Sequence, residues 1–132
     1  MWLDSIPVAA EGLRSFEEAF RFKIDSDFKQ YLAERNGGMP MDGRFPTAVK
    51  ERKLAQLLDF TDMRSNNGAW AVNKRMRKRI GVKRIVIGID PANNYICLER
   101  NYREQFVVVY NLWSCDFERS LLDLSAFMRA IG

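Results

Sequence analysis

The chain reads as an α+β domain in two layers, a mainly antiparallel sheet covered by helices. Three observations support this. Residues 13–35 carry apolar side chains at helical spacing, residues 82–112 switch to a period of two broken by turn residues, and the final stretch returns to helical spacing. Helices, then a strand meander, then a helix describe an antiparallel sheet better than a parallel one. At 132 residues the length suits one domain, residues 1–132, with a single hydrophobic core.

Residues 1–12 are weakly patterned and end in Glu11-Gly12. A helix is expected over Leu13–Phe22, with Leu13, Phe16 and Phe20 on one face. A second is expected over 26–35, with Asp25 or Ser26 as its cap and Phe28, Tyr31 and Leu32 as its buried face. Asn36-Gly37-Gly38 stops it, since Asn and Gly tolerate the left-handed conformation, and Pro40 cannot continue it. Residues 37–47 read as a loop. Lys53–Phe60 fits either period, and its C-terminal part is taken as a strand. Asn66-Asn67-Gly68 opens a helix from Ala69 to Ile80, with a narrow stripe of Ala69, Val72, Met76 and Ile80. Gly81 is placed to end it.

Val82–Asp90 and Tyr95–Glu99 alternate in the manner of strands around the turn residues Pro91-Ala92-Asn93-Asn94, which makes a hairpin. Gln105–Leu112 is β-branched and aromatic, a third strand. Asp123 caps a last helix carrying Leu124, Phe127, Met128 and Ile131. Phe117, Leu121 and Leu122 are expected to help cover the sheet.

Composition excludes several classes of function. Histidine is absent, which removes Ser-His-Asp and Cys-His catalysis and histidine-ligated metal sites together. Two cysteines, Cys97 and Cys115, make no structural zinc site. Cys97 lies in an apolar run and reads as a small buried hydrophobe, and reduced thiols fit better than a Cys97–Cys115 bridge. No apolar run approaches the ~20 residues that span a bilayer, so no membrane association is expected. Met1-Trp2-Leu3-Asp4-Ser5-Ile6-Pro7 lacks the basic start and apolar core of a leader, and cytoplasmic residence is expected. Charge is uneven. Residues 1–66 carry 10 Lys/Arg against 11 Asp/Glu, and residues 67–132 carry 11 against 6. The excess lies mostly between Lys74 and Arg84.

Four ordered stretches carry a family resemblance. Ile24-Asp25-Ser26-Asp27-Phe28-Lys29-Gln30-Tyr31-Leu32, followed by Asn36-Gly37-Gly38, resembles the Leu-Pro-x-x-Tyr/Phe-x-x-Phe/Tyr-Leu and Asn-Gly-Gly opening of the SUKH superfamily, the Smi/Knr-like domains. The hairpin Ile87–Leu98 resembles that family's Ile-Gly-x-Asp-x-x-Gly-Asn-x-Ile-x-Leu, and Val109-Tyr110-Asn111-Leu112 its Val-Tyr strand. The terminal helix with Phe127 is similar to the family's ending. The chain departs from these patterns at Asp25, Asn93 and Val108, where the family places Pro, Gly and Gly. Residues 41–80 match least. The resemblance implies a non-enzymatic binding domain with no cofactor, metal or small-molecule substrate. Many bacterial members resemble immunity proteins that block a cognate toxin, and fungal members resemble hubs of cell-wall regulation.

The candidate contact residues are Trp70, Lys74, Arg75, Arg77, Lys78 and Trp113. The cations fall on the arc of helix 69–80 opposite its apolar stripe. They form either a solvated face or a site for an acidic protein patch or nucleic acid. Trp70 falls about 120° from Met76, outside the stripe and beside Lys74 and Arg77. Exposed there it would anchor an interface, whereas under the long loop it would be core. Trp113, after the third strand, reads first as core packing and second as a contact point. Asn36-Gly37-Gly38 reads as structural. A net charge of +4 sits against an inhibitor of a cationic nuclease. Either the partner is acidic, or local patches outweigh net charge, which leaves open whether the carboxylates of residues 1–66 gather into one.

Overall fold

The computed structural model describes residues 2–132; Met1, the first residue of the stretch read above for a leader, lies outside them. In chain order the elements are β1 (Trp2–Leu3), α1 (Ala10–Phe20), α2 (Ser26–Arg35), β2 (Met39–Pro40), β3 (Arg44–Pro46), β4 (Glu51–Lys53), β5 (Gln56–Leu57), α3 (Ala69–Ile80), β6 (Arg84–Ile89), β7 (Tyr95–Arg100), β8 (Gln105–Tyr110), β9 (Phe117–Arg119) and α4 (Leu124–Ile131). Strands β5 to β9 form one antiparallel sheet in sequence order, and β1–β2 and β3–β4 form two small antiparallel ribbons. The α+β class expected from the period changes is the class observed.

The helices bury the faces that their spacing foretells. Leu13, Phe16 and Phe20 of α1 are buried, as are Phe28, Tyr31 and Leu32 of α2. Helix α1 starts earlier than expected and ends at Phe20, because Arg21 turns left-handed (φ 51°). Phe22 still reaches the core from outside the helix. Of the two proposed caps of α2, Asp25 is the one used: its carboxylate accepts from the Phe28 N–H at 3.1 Å. Gly37 takes the left-handed turn (φ 71°), while Asn36 stays at negative φ and is held inward by its side chain. Asp123 caps α4 by accepting from the Ala126 N–H, and Phe127 and Ile131 are buried. Phe127 meets Phe45 of β3 and Phe28 of α2, so α4 joins the ribbon to the helical layer.

The middle of the chain is where the sequence reading is coarsest. The expected loop over 37–47 contains β2 and β3, and the strand expected toward Phe60 is β5. These pieces are two or three residues long, too short for a period to register. Gly88 shows how tightly β5 seats on β6: a Cβ there would lie 2.7 Å from the Gln56 carbonyl oxygen and 2.6 Å from Leu54. Leu121, expected to help cover the sheet, is two-thirds exposed; its N–H bonds the Pro46 carbonyl at the ribbon edge and turns the side chain outward. Both cysteines are free, Cys115 exposed and Cys97 buried, with burial pushing the Cys97 thiol up to about 12.

Candidate partner-binding face

Helix α3 lies along the open edge of β6. Asn73 makes the joint: its amide donates to the Val86 carbonyl (3.0 Å) and its oxygen accepts from the Val86 N–H (2.7 Å). The side chain thus continues the pairing of β6 beyond the short strand β5, which covers only Gly88 and Ile89. The inner arc of α3 is wider than the expected stripe. Besides Ala69, Val72, Met76 and Ile80 it includes Asn73 and Trp70. Trp70 is 6% exposed, which corrects its placement as an exposed anchor. Its ring meets Phe16 and Phe20 of α1 at 5.6 and 5.8 Å, and its indole N–H donates to the Phe60 carbonyl. The cause is that α3 packs on two neighbours, the sheet edge and α1, so its buried arc is not the narrow stripe of a helix on a single surface.

Lys74, Arg75, Lys78 and Arg79 remain exposed on the outer arc. Arg77 does not join them fully. It is half-buried, donates to the Phe20 carbonyl at 3.2 Å and lies 5.8 Å from the centre of the Phe20 ring, fastening α3 to α1. Arg75 donates to the Asn66 carbonyl. Among the described residues, no carboxylate pairs within 4.0 Å with Lys74, Arg75, Arg77, Lys78, Arg79 or Lys83.

Trp113 reverses its first reading. It is 96% exposed, on the loop 111–116 between β8 and β9. The loop is nevertheless held firmly. The Asn111 side chain accepts from the Trp113 and Ser114 N–H groups at 2.9 and 3.2 Å, and its backbone N–H reaches the Asp116 carbonyl. The Leu112 N–H donates to Asn94 Oδ1 at 3.0 Å. With its backbone bonded inward, the loop turns the Trp113 ring and part of Leu112 to solvent. The Cys115 thiol beside the Tyr110 hydroxyl raises its pKa, while the Arg79 guanidinium pulls the other way.

Beneath the loop lies a buried ion cluster that the sequence reading did not contain. Arg52 of β4 donates to both carboxylate oxygens of Glu118 on β9, and its guanidinium lies 3.7 Å from Asp90 Oδ2. All three side chains are less than a tenth exposed. Asp90 in turn accepts from the Ala92 and Asn94 N–H groups and from the Asn94 amide. Asn94 is the residue that holds Leu112, so the cluster supports the Trp113 loop through one intermediate. The hydrogen bonds and charge of Arg52 outweigh burial and hold the Glu118 carboxyl below the usual range. The only sequence signal was the turn chemistry around Asp90.

A cleft of about 700 Å³ opens on the other side of Arg75. Asn36, Gly37 and Asp59 line one wall, and Ile89, Asn93 and Tyr95 another. Two of the stretches that marked the family therefore meet at one place. Asn36 is engaged structurally there: its amide donates to Asp59 and its oxygen accepts from the Phe60 N–H. Burial raises the Asp59 pKa, but hydrogen bonds from Thr61 and Asn36 outweigh it and leave the carboxyl below its ordinary value. Among the described residues, no group of three His, Cys, Asp or Glu side chains is placed to hold a metal, and no helix is long and apolar enough to cross a membrane.

No curated protein and no solved structure gives a significant match to the chain. The model of the SMI1 / KNR4 family (SUKH-1) matches residues 7–128, a span that takes in both helices α1 and α2, the ion cluster, α3 and the whole sheet. The chain belongs to that family.

Proposed function

We propose that this protein is an immunity-type binding domain that acts in the cytoplasm, where it binds a cognate bacterial toxin and blocks it by stoichiometric occlusion, without chemistry of its own. The observation that carries the reading is Trp113, nearly fully exposed on a loop whose backbone is pinned at both ends. An indole held out by a rigid loop loses little entropy on binding and offers a large area to bury, as interface anchors do. Lys74, Arg75 and Lys78 on the exposed arc of α3 supply a charged rim that speeds encounter. Trp70 and Arg77 serve the fold instead. The test is survival of cells expressing a candidate toxin drawn from the genes neighbouring this one, with and without the protein. Protection together with a 1:1 complex on size-exclusion chromatography supports the reading, and unchanged killing removes it.

A second reading is nucleic-acid binding through helix 69–80, favoured by its unpaired cations. Duplex DNA and RNA titrated across a salt series test it. Micromolar binding that falls steeply with salt supports it, and no binding at low salt ends it.

A further inference from the structure

We infer that the partner presents an acidic surface with an apolar socket, and that one continuous face receives it: the outer arc of α3, Lys83 and the Trp113 loop. This rests on the reading as a protein-binding domain and adds where the contact lies and what chemistry it needs. The first ground is how charge is divided. Residues 63–89 hold eight of the 21 Lys and Arg and none of the 17 Asp and Glu, so the remainder, with 13 cations against 17 carboxylates, is acidic.

The carboxylates of that remainder are largely engaged inside the chain. Glu17 takes Lys29 and the Ile24 N–H, Asp25 and Asp123 cap helices, and Glu99 pairs with Arg84. Asp59 holds Asn36 and Thr61, and Asp90 and Glu118 are buried around Arg52. Glu17, Asp25 and Asp59 of residues 1–66 thus serve separate elements of the fold. The exposed cations of α3 have no carboxylate partner within 4.0 Å among the described residues, and only Arg75 among them bonds a backbone carbonyl, that of Asn66. Bringing acidic groups against them neutralises repulsion among Lys74, Lys78 and Arg79, whereas a basic partner would add to it.

The second ground is proximity. Arg84 donates to the Ile80 carbonyl at the end of α3 and lies 3.8 Å from the centre of the Phe117 ring just after the Trp113 loop, so the C-terminal end of α3 and that loop are neighbours. The third is the pair at the loop tip. Leu112 stands beside Trp113, and both present apolar surface to solvent. A base could stack on the indole alone, but a hollow in a protein surface takes both side chains.

The test uses the ¹⁵N-labelled full chain and two polyanions matched in charge, poly-L-glutamate and duplex DNA, with poly-L-lysine as control. At low salt, poly-L-glutamate shifts the amides of Lys74–Arg79 and Lys83 and the Trp113 indole N–H, and DNA binds no tighter. The triple change Lys74→Glu, Lys78→Glu and Arg79→Glu weakens poly-L-glutamate binding at least tenfold; the Gln versions weaken it less and guard against misfolding by reversal. Trp113→Ala, in a chain with unaltered spectral dispersion, removes the indole signal and leaves the Lys74–Arg79 shifts with poly-L-glutamate in place, whereas unchanged wild-type indole N–H shifts on saturation take the Trp113 loop out of the face. Shifts confined to α1 and α2, binding to poly-L-lysine, or DNA binding tenfold tighter than poly-L-glutamate each overturn the inference. The toxin-survival assay is separate. Protection with no response on this face refutes the location alone, and a responsive face without protection refutes the immunity reading alone.

Discussion

Arg52 and the cations of α3 are the same kind of residue put to opposite uses. Arg52 is buried between Glu118 and Asp90, with its hydrogen bonds directed at Glu118 of β9 and its charge 3.7 Å from Asp90 in the turn after β6. Lys74, Lys78 and Arg79 stand in solvent with no carboxylate within 4.0 Å among the described residues. Desolvating a guanidinium is costly, and only well-placed counter-charges offset it. Removing one member of such a cluster leaves the others uncompensated. Removing an exposed unpaired cation leaves nothing behind. A charge whose partner lies within the chain belongs to the fold; a charge without one is available to something else. Trp70 and Trp113 repeat the lesson, the first in the core and the second in water.

The comparison breaks most visibly at the buried side. Arg52→Ala strands Glu118 and Asp90 and is expected to cost about 3–5 kcal/mol in urea unfolding. Trp70→Ala empties a site among Phe16, Phe20 and the Phe60 carbonyl, with an expected loss of about 3–5 kcal/mol. Asn73→Ala leaves the Val86 N–H and carbonyl without their partner at a buried edge, with an expected loss of about 1–3 kcal/mol. Against these, Trp113→Ala and Lys78→Glu should each move stability by no more than about 0.5 kcal/mol, since neither side chain holds the fold. Equal losses for Trp70→Ala and Trp113→Ala would erase the distinction.

The ion cluster also fixes the direction of a pH dependence. Glu118 is depressed in the folded state, so its contribution is fully present above the unfolded carboxylate value of about 4.3. It is lost as pH falls through the lower folded value. Urea midpoints measured from pH 7 down to pH 3 should fall in that window, and Glu118→Gln should flatten the fall while lowering the midpoint at neutral pH.

What the sequence made legible follows from element length. Helix α3 spans the residues expected of it, because twelve residues give three turns of pattern and Gly81 ends them. The β6–β7 hairpin and Asp123 cap were legible for similar reasons, as period and turn chemistry agree there. Strands β2 to β5 were not, since two or three residues carry no period. The burial of Trp70 was hidden because periodicity finds one face, and α3 has two neighbours. Trp113 was misread in the other direction: its exposure follows from hydrogen bonds of Asn111 and Asn94, and no spacing records them. Arg52 and Glu118 sit 66 residues apart and meet only through the β3–β4 ribbon docking beside β9.

The most direct measurement is a paired one: stability and toxin protection for the wild-type chain, Trp113→Ala, and the triple Lys74→Glu, Lys78→Glu, Arg79→Glu variant, with a candidate toxin from the neighbouring genes co-expressed. Urea midpoints close to wild type for both variants, protection by the wild type, and loss of protection by each variant are expected. Variants that stay folded and protect as well as the wild type would contradict the assignment of this face to the partner.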